Sequence, residues 1–298
     1  MITVDSLTKK YRATTAVDDV SFVASAGRVT GFLGPNGAGK STAMRMMVGL
    51  TQPTSGSATI SGRRFTDLPN PGVEVGVMLD ASAQHAGRSG REILTIAQQM
   101  MGLPSHSVTD ILQLVSLTES EADRRVGNYS LGMRQRLGIA TALIGDPAVL
   151  ILDEPANGLD PAGIRWMRDL LRDYADRGGT VLLSSHLLRE IEMVVDDIVV
   201  IGHGRIVARG AKAELLQATG TLVRARDMHA LRHALDTHGL ETTAPGDGTI
   251  RTTADVHRVG RVALEAGVPL TELRTADGEL EDLFLELTAN TQRERKAA

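Results

Sequence analysis

The sequence contains no cysteine, and aromatic residues make up only 3% of it, with a single tryptophan. Without thiols, disulfides, thiolate metal sites and cysteine nucleophiles are excluded, and a reducing compartment suits the chain. Long apolar runs are missing too. The stretches "AVLIL" and "IVVIG" fall far short of the ~18 residues that cross a bilayer, and "MITVDSLTKKY" at the start lacks the apolar core of a secretion signal. These absences predict a soluble, cytoplasmic chain for which any membrane role runs through a partner. Acidic and basic residues are intermixed and sum to −4. No basic stripe follows a nucleic-acid backbone, so nucleic acid is not expected as a partner.

The 298 residues show two textures, enough for one large domain and a smaller one. Over residues 1–215, short apolar strands ("RVTGFLG", "VGVML", "AVLILD", "TVLLSS", "DIVVIG") alternate with amphipathic helices. That alternation predicts an α/β fold with a mainly parallel sheet covered by helices. Residues from about 90 to 145 are helix-patterned throughout, which predicts a helical insertion subdomain. Over residues 220–290 the order changes to strand "TLVRAR", helix "MHALRHALDTHG", two strands around "APGDG", helix "VHRVGRVALEAG", strand "LTELRT" and helix "ELEDLFLELT". A βαββαβ order predicts a small α+β ferredoxin-like domain, and the charged end "TQRERKAA" is expected to fray.

The strand "RVTGFL" runs into "GPNGAGKST", comprising Gly34, Pro35, Asn36, Gly37, Ala38, Gly39, Lys40, Ser41 and Thr42, and a helix follows. This is G-x-x-x-x-G-K-[ST] in the strand-loop-helix setting that phosphate binding requires. Glycines let backbone N–H groups turn inward around a β-phosphate, and the helix start adds partial positive charge. Lys40 then reaches the β and γ phosphates, and the Ser41 hydroxyl is placed to ligate Mg²⁺.

The apolar run "AVLIL" ends in two carboxylates, Asp153 and Glu154. Acids at a strand exit are also plain solubilising punctuation, but the phosphate loop gives them work. Asp153 is expected to hold Mg²⁺, and Glu154 to orient or deprotonate the attacking water.

With these motifs in this order, the chain resembles the nucleotide-binding subunit of an ABC (ATP-binding cassette) transporter over residues 1 to about 215. "NYSLGMRQR" resembles the signature motif, with Ser130 and Gly132 at its serine and second glycine. "NGLD" resembles the D-loop, with Asp160, and "SSHLLREIE" the switch region, with His186. Tyr11 stands where the family stacks an aromatic ring on adenine. The resemblance implies a P-loop NTPase cassette that binds ATP and Mg²⁺, with His186 bonding the γ-phosphate and the signature reaching ATP on a second subunit. One phosphate loop per chain implies a homodimer or a second ATP-binding subunit. The missing membrane segment implies a separately encoded polytopic permease, holding the chain peripherally at the inner face of the cell membrane.

Two departures stand out. Asp80 occupies the end of "VGVML" where the family usually has glutamine, and either Asp80, as an oxygen ligand for Mg²⁺, or Gln84 is expected to act there. In the signature, Leu131 replaces the first glycine and Met133 the glutamine. Both departures resemble the drug, lantibiotic and antibiotic exporter group, which implies export. A soluble ABC ATPase acting on ribosomes or DNA is the alternative, and two cassettes or a coiled-coil insertion would mark it. His229 and His233 have metal-ligand spacing but no third ligand. The methionines of "AMRMMVG" and "QQMMG" are expected as core filler, and Trp166 as a packing residue. The carboxy-terminal domain is expected to stabilise a dimer or regulate it.

Overall fold

The computed structural model describes residues 1–216, 220–244 and 248–275, together with residues 280, 281, 283, 284 and 287. The chain divides into two compact units, one containing Met1–Lys212 and the other Ala213–Leu283.

Among the described residues the first unit has nine strands: β1 (Ile2–Tyr11), β2 (Thr14–Ala24), β3 (Arg28–Leu33), β4 (Ser55–Ile60), β5 (Val75–Met78), β6 (Val149–Leu152), β7 (Thr180–Ser185), β8 (Asp197–Gly202) and β9 (Arg205–Ala211). Six of them form a sheet in the order β5-β6-β7-β3-β8-β9. All its pairings are parallel except that of β9 with β8. Every residue of β6 and β7 is buried, as strands covered on both faces require, so β6 reads as a continuous apolar run and β7 carries one at its centre, Val181 to Leu183. The register pairs Leu33 with Ser185 and Leu152 with Leu183, so β3, β7 and β6 end side by side at one edge. Loops leaving the carboxyl ends of such strands are where open α/β sheets bind ligands.

Three further strands lie outside the expected parallel sheet. β2, β1 and β4 form a separate antiparallel sheet, with Ile2 opposite both Ala24 and Ile60. Its strands alternate buried and exposed residues, as one-sided sheets do. A common core joins it to the six-stranded sheet through Val4, Leu7, Phe22, Phe32, Met44 and Ile151. The rings of Phe22 and Phe32 stack with centroids 5.3 Å apart.

The helical stretch consists of Gly90–Met101, Ser107–Leu114, Glu119–Ala122 and Leu131–Leu143. Ser89 with Glu92 and Thr118 with Glu121 close reciprocal caps on the first and third of these. The methionines divide: Met44, Met46 and Met47 are core, but Met100 is 82% exposed, correcting the core-filler expectation for "QQMMG". Met100 lies one turn from exposed Ile96 on the outer side of its helix. Trp166 packs as expected, its Nε1 donating to the Leu114 carbonyl at 3.2 Å while Arg136 lies 4.3 Å over its ring.

In the second unit, β10 (Thr221–Ala225), β11 (Thr242–Thr243), β12 (Ile250–Thr252) and β13 (Leu270–Thr275) form an antiparallel sheet in the order β11-β12-β10-β13. The helices Met228–Thr237 and Val256–Glu265 begin at Asp227 and Asp255, whose carboxylates accept from the third amide of each. Val223, Leu231, Leu235, Ile250 and Val259 form the core. This is β-α-β-β-α-β with the ferredoxin-like strand order. Both His229 and His233 are exposed. The centre of the "APGDG" turn, half of "ELEDLFLELT" and the whole of "TQRERKAA" lie outside the described residues.

Candidate active site

The loop Gly34–Gly39 leaves β3 and enters the helix Lys40–Met47. Gly39 takes φ +108°, and a Cβ there would lie 2.4 Å from the Ala16 carbonyl oxygen, so only glycine fits. No side chain caps this helix, so its first-turn N–H groups remain to face an anion. Lys40 is only 7% exposed. Its Nζ donates to the carbonyls of Gly34 at 2.6 Å and Pro35 at 3.4 Å. Burial lowers its pKa, while the negative charges of Glu154 and then Asp153 act the other way. A buried ammonium folded back on two loop carbonyls can exchange them for phosphate oxygens without moving its stem.

Asp153 and Glu154 leave β6 beside this loop. One carboxylate oxygen of Asp153, Oδ2, accepts from the Ser41 hydroxyl at 2.6 Å. The other, Oδ1, accepts from the Ser184 hydroxyl. The backbone N–H of Asp153 donates to the Met78 carbonyl at 2.7 Å, drawing the end of β5 to the same place. Ser41 Oγ and Asp153 Oδ2 in contact are hard oxygen donors of the kind Mg²⁺ takes. The donor set therefore fits that ion.

Glu154 is a non-glycine residue at φ 52°, a left-handed conformation rare enough to need support. Its N–H donates to the hydroxyl and carbonyl of Ser184, at 3.0 and 3.2 Å. The Gln135 side chain donates to its carbonyl at 2.7 Å. Its carboxylate Oε2 lies 2.7 Å from His186 Nδ1 and accepts from the His186 N–H at 3.2 Å. Sequence reasoning paired these two residues with phosphate chemistry but not with each other. It also missed Ser184 and Gln135, which are 0% and 3% exposed. The available signal was slight, because Gln135 stands between two arginines in its helix and Ser184 beside a second serine at the end of β7.

The remaining residues are more dispersed. Asp80 uses Oδ1 to accept from the N–H and hydroxyl of Ser82, at 2.8 and 2.6 Å, and those bonds hold its pKa below the usual carboxylate value. Gln84 donates to the Arg134 carbonyl at 3.2 Å, against the Leu131–Leu143 helix. Its own carbonyl oxygen is buried without a hydrogen-bond partner among the described residues. Ser130 caps that helix by accepting from the Met133 N–H at 3.2 Å, and Gly132 follows it there. Asp160 caps the helix Pro161–Asp176 by accepting from the Gly163 N–H at 2.8 Å. Tyr11 ends β1 half exposed, with the Lys9 ammonium 4.9 Å from its ring centroid.

A buried lysine behind a glycine loop, a serine–aspartate oxygen pair and a glutamate–histidine pair, all at the carboxyl edge of one parallel sheet, define a P-loop nucleotide-binding ATPase. Residues 17–157 match the family described as ABC transporter, and residues 219–281 match a domain of unknown function, DUF8746. The chain is 36% identical over 294 residues to the uncharacterized ABC transporter ATP-binding protein YhcH of Bacillus subtilis (strain 168), covering 97% of this chain and 96% of that protein. With the bacitracin transport ATP-binding protein BcrA of Bacillus licheniformis it shares 34% identity over 299 residues, covering 96% of this chain and 97% of that protein. A solved ATP binding subunit of an ABC transporter superposes with a TM-score of 0.67 at 29% identity, covering 72% of this chain and 91% of that chain. The chain belongs to the ATP-binding subunits of ABC transporters. It is an ATPase of that family. Among its described residues no helix is long and apolar enough to cross a membrane.

Proposed function

We propose that this chain powers the export of an antibiotic or related peptide through a separately encoded polytopic permease, docked at the inner face of the cell membrane. The observation that carries the hydrolytic part is the convergence of Lys40, Ser41, Asp153, Glu154 and His186 at one sheet edge, with Ser41 and Asp153 2.6 Å apart and Glu154 and His186 2.7 Å apart. The similarity to a bacitracin transport protein over nearly the whole chain supports the cargo class.

In this reading the amides of Gly34–Thr42 and the Lys40 ammonium bind the β and γ phosphates. Ser41 and Asp153 hold Mg²⁺, with Asp80 beyond β5 as a further oxygen donor. When bound, that ion neutralises phosphate charge. Glu154 orients the attacking water and accepts its proton. His186 shares the Glu154 carboxylate through Nδ1, which leaves Nε2 as the nitrogen for the γ-phosphate. Tyr11 stacks on adenine. Ser130 and Gly132 on the exposed start of their helix, together with Asp160 at the start of the helix Pro161–Asp176, face the nucleotide of a second cassette, because one chain supplies only one phosphate loop.

The test is to tag Glu154→Gln, trap it with ATP and Mg²⁺, and identify what co-purifies from solubilised membranes. A polytopic protein at matching stoichiometry is expected. Recovery of ribosomal or nucleoid proteins alone, with none of the chain in membranes, would overturn the transport reading and leave the ATPase.

A further inference from the structure

The helix Leu131–Leu143 touches the segment that carries Glu154 at two points. One is polar: Gln135, 3% exposed, donates its side-chain N–H to the Glu154 carbonyl at 2.7 Å. That carbonyl also accepts from the Asn157 N–H at 3.1 Å, so Gln135 closes the outside of a tight turn from Glu154 to Asn157. The second point is apolar and one helical turn earlier, on the same face. Gly158 takes φ +76°, and a Cβ there would fall 2.2 Å from Leu131 Cδ2 and 2.3 Å from its Cγ. The Leu131 side chain thus occupies the space that any larger residue at 158 would need. The approach is close from the helix side as well, because a Cβ on Gly132 would stand 3.2 Å from the Gly158 carbonyl oxygen.

Both contacts bear on a strained group. Glu154 holds a left-handed backbone that L-residues rarely adopt, so its peptide returns to ordinary conformations unless its surroundings over-determine it. Ser184 fixes the N–H side of the residue at 3.0 Å, and Gln135 fixes the carbonyl side. These two anchors set the backbone from which the carboxylate reaches the N–H and Nδ1 of His186.

We propose that Leu131 and Gln135 are positioning residues for ATP hydrolysis, their shared helix face holding the Glu154–Gly158 segment so that the Glu154 carboxylate is aimed at the water. Leu131, one of the two departures in the signature, is then paired with the glycine at 158, since a leucine there requires the absence of a side chain opposite. Through this face the helix start bearing Ser130 and Gly132 and the carboxylate of Glu154 move as one body, so rotating the helix withdraws a bond from the Glu154 carbonyl.

The proposal rests on Glu154 being the general base. It is tested in the full chain by measuring kcat for ATP, ATP affinity and the thermal midpoint together. Gln135→Met keeps the length and loses the donor. Its kcat should fall about 10- to 100-fold, the range set by one lost buried hydrogen bond, with ATP affinity within about twofold of the parent. Gly158→Asn tolerates the left-handed backbone, so its expected kcat loss isolates the collision with Leu131. Adding Leu131→Ala to Gly158→Asn should recover most of that loss. An unchanged kcat in Gln135→Met would overturn the proposal. So would ATP affinity and thermal midpoint falling in step with kcat, or a Gly158→Asn defect that Leu131→Ala does not relieve. Glu154→Gln in the same assay separates the two failures. Continued hydrolysis by Glu154→Gln would remove the base itself, whereas a dead Glu154→Gln beside a normal Gln135→Met would remove only the positioning role.

Discussion

The two units of this chain use buried polar groups differently. In the second unit, the buried polar side chains among the described residues are threonines, Thr221, Thr249 and Thr252. Thr221 donates to the nearby Ala254 carbonyl and Thr252 accepts from the Ala254 N–H, so two of the three close the ends of their own sheet. In the first unit Gln135 and Ser184 are just as buried, yet they reach a backbone carbonyl and a carboxylate from distant parts of the chain at one sheet edge, where equally buried Lys40 is held by carbonyls of its own loop. A parallel sheet with crossover helices brings distant loops together at the carboxyl ends of its strands, whereas an antiparallel sheet returns each strand beside its neighbour. Burial of a polar group marks a functional site only where several elements converge on it.

The sharpest way to break that contrast is Lys40→Met. It keeps the volume and removes an ammonium whose charged hydrogen bonds are worth about 1.5–3 kcal/mol each. Equilibrium binding should show ATP affinity down by about a hundredfold with the fold intact. A core cut in the other unit is the counterpart: Leu235, 0% exposed, changed to Ala should destabilise its unit by about 2–5 kcal/mol. Calorimetry should show that loss while ATP affinity stays the same, and a parallel loss of binding would merge the two units functionally.

Smaller effects sharpen the edges of the site. Tyr11→Ala should weaken ATP binding by the ~1–3 kcal/mol of one stacked base, with Tyr11→Phe close to the parent in the same titration. Asp80 gives the smallest signal. Its folded pKa is lowered, first by the Ser82 hydroxyl and then by the Ser82 N–H, so its stabilisation is full above the ordinary carboxylate value of about 4. That contribution is lost as pH falls through the lowered folded value. Asp80→Asn should therefore flatten the stability profile slightly between about pH 5 and about pH 3, read by chemical denaturation.

The phosphate loop and the paired acids were legible because their chemistry demands particular residue types within a few consecutive positions. The strands of the six-stranded sheet were legible because burial on both faces leaves apolar runs such as β6 and the Val181 to Leu183 centre of β7. The antiparallel sheet of β1, β2 and β4 was not, because one-sided strands mix polar and apolar residues and leave no apolar run to mark them. Ser184 and Gln135 escaped notice for another reason. Each is a single polar residue whose partner is a backbone group of Glu154, 30 and 19 residues away in the chain, and no local pattern records such a contact. The exposure of Met100 was hidden similarly, since a flexible thioether suits both a core and an outer helix face.

The central claim is that Glu154 serves the chemical step and the phosphate loop serves binding. Glu154→Gln, assayed for ATP binding and for phosphate release in the presence of Mg²⁺, tests it most directly. Binding close to the parent with hydrolysis slowed by about 10²- to 10⁴-fold, the range for a lost general base, is the predicted result. Hydrolysis within a few-fold of the parent would contradict the claim and send the search for the base elsewhere in the site.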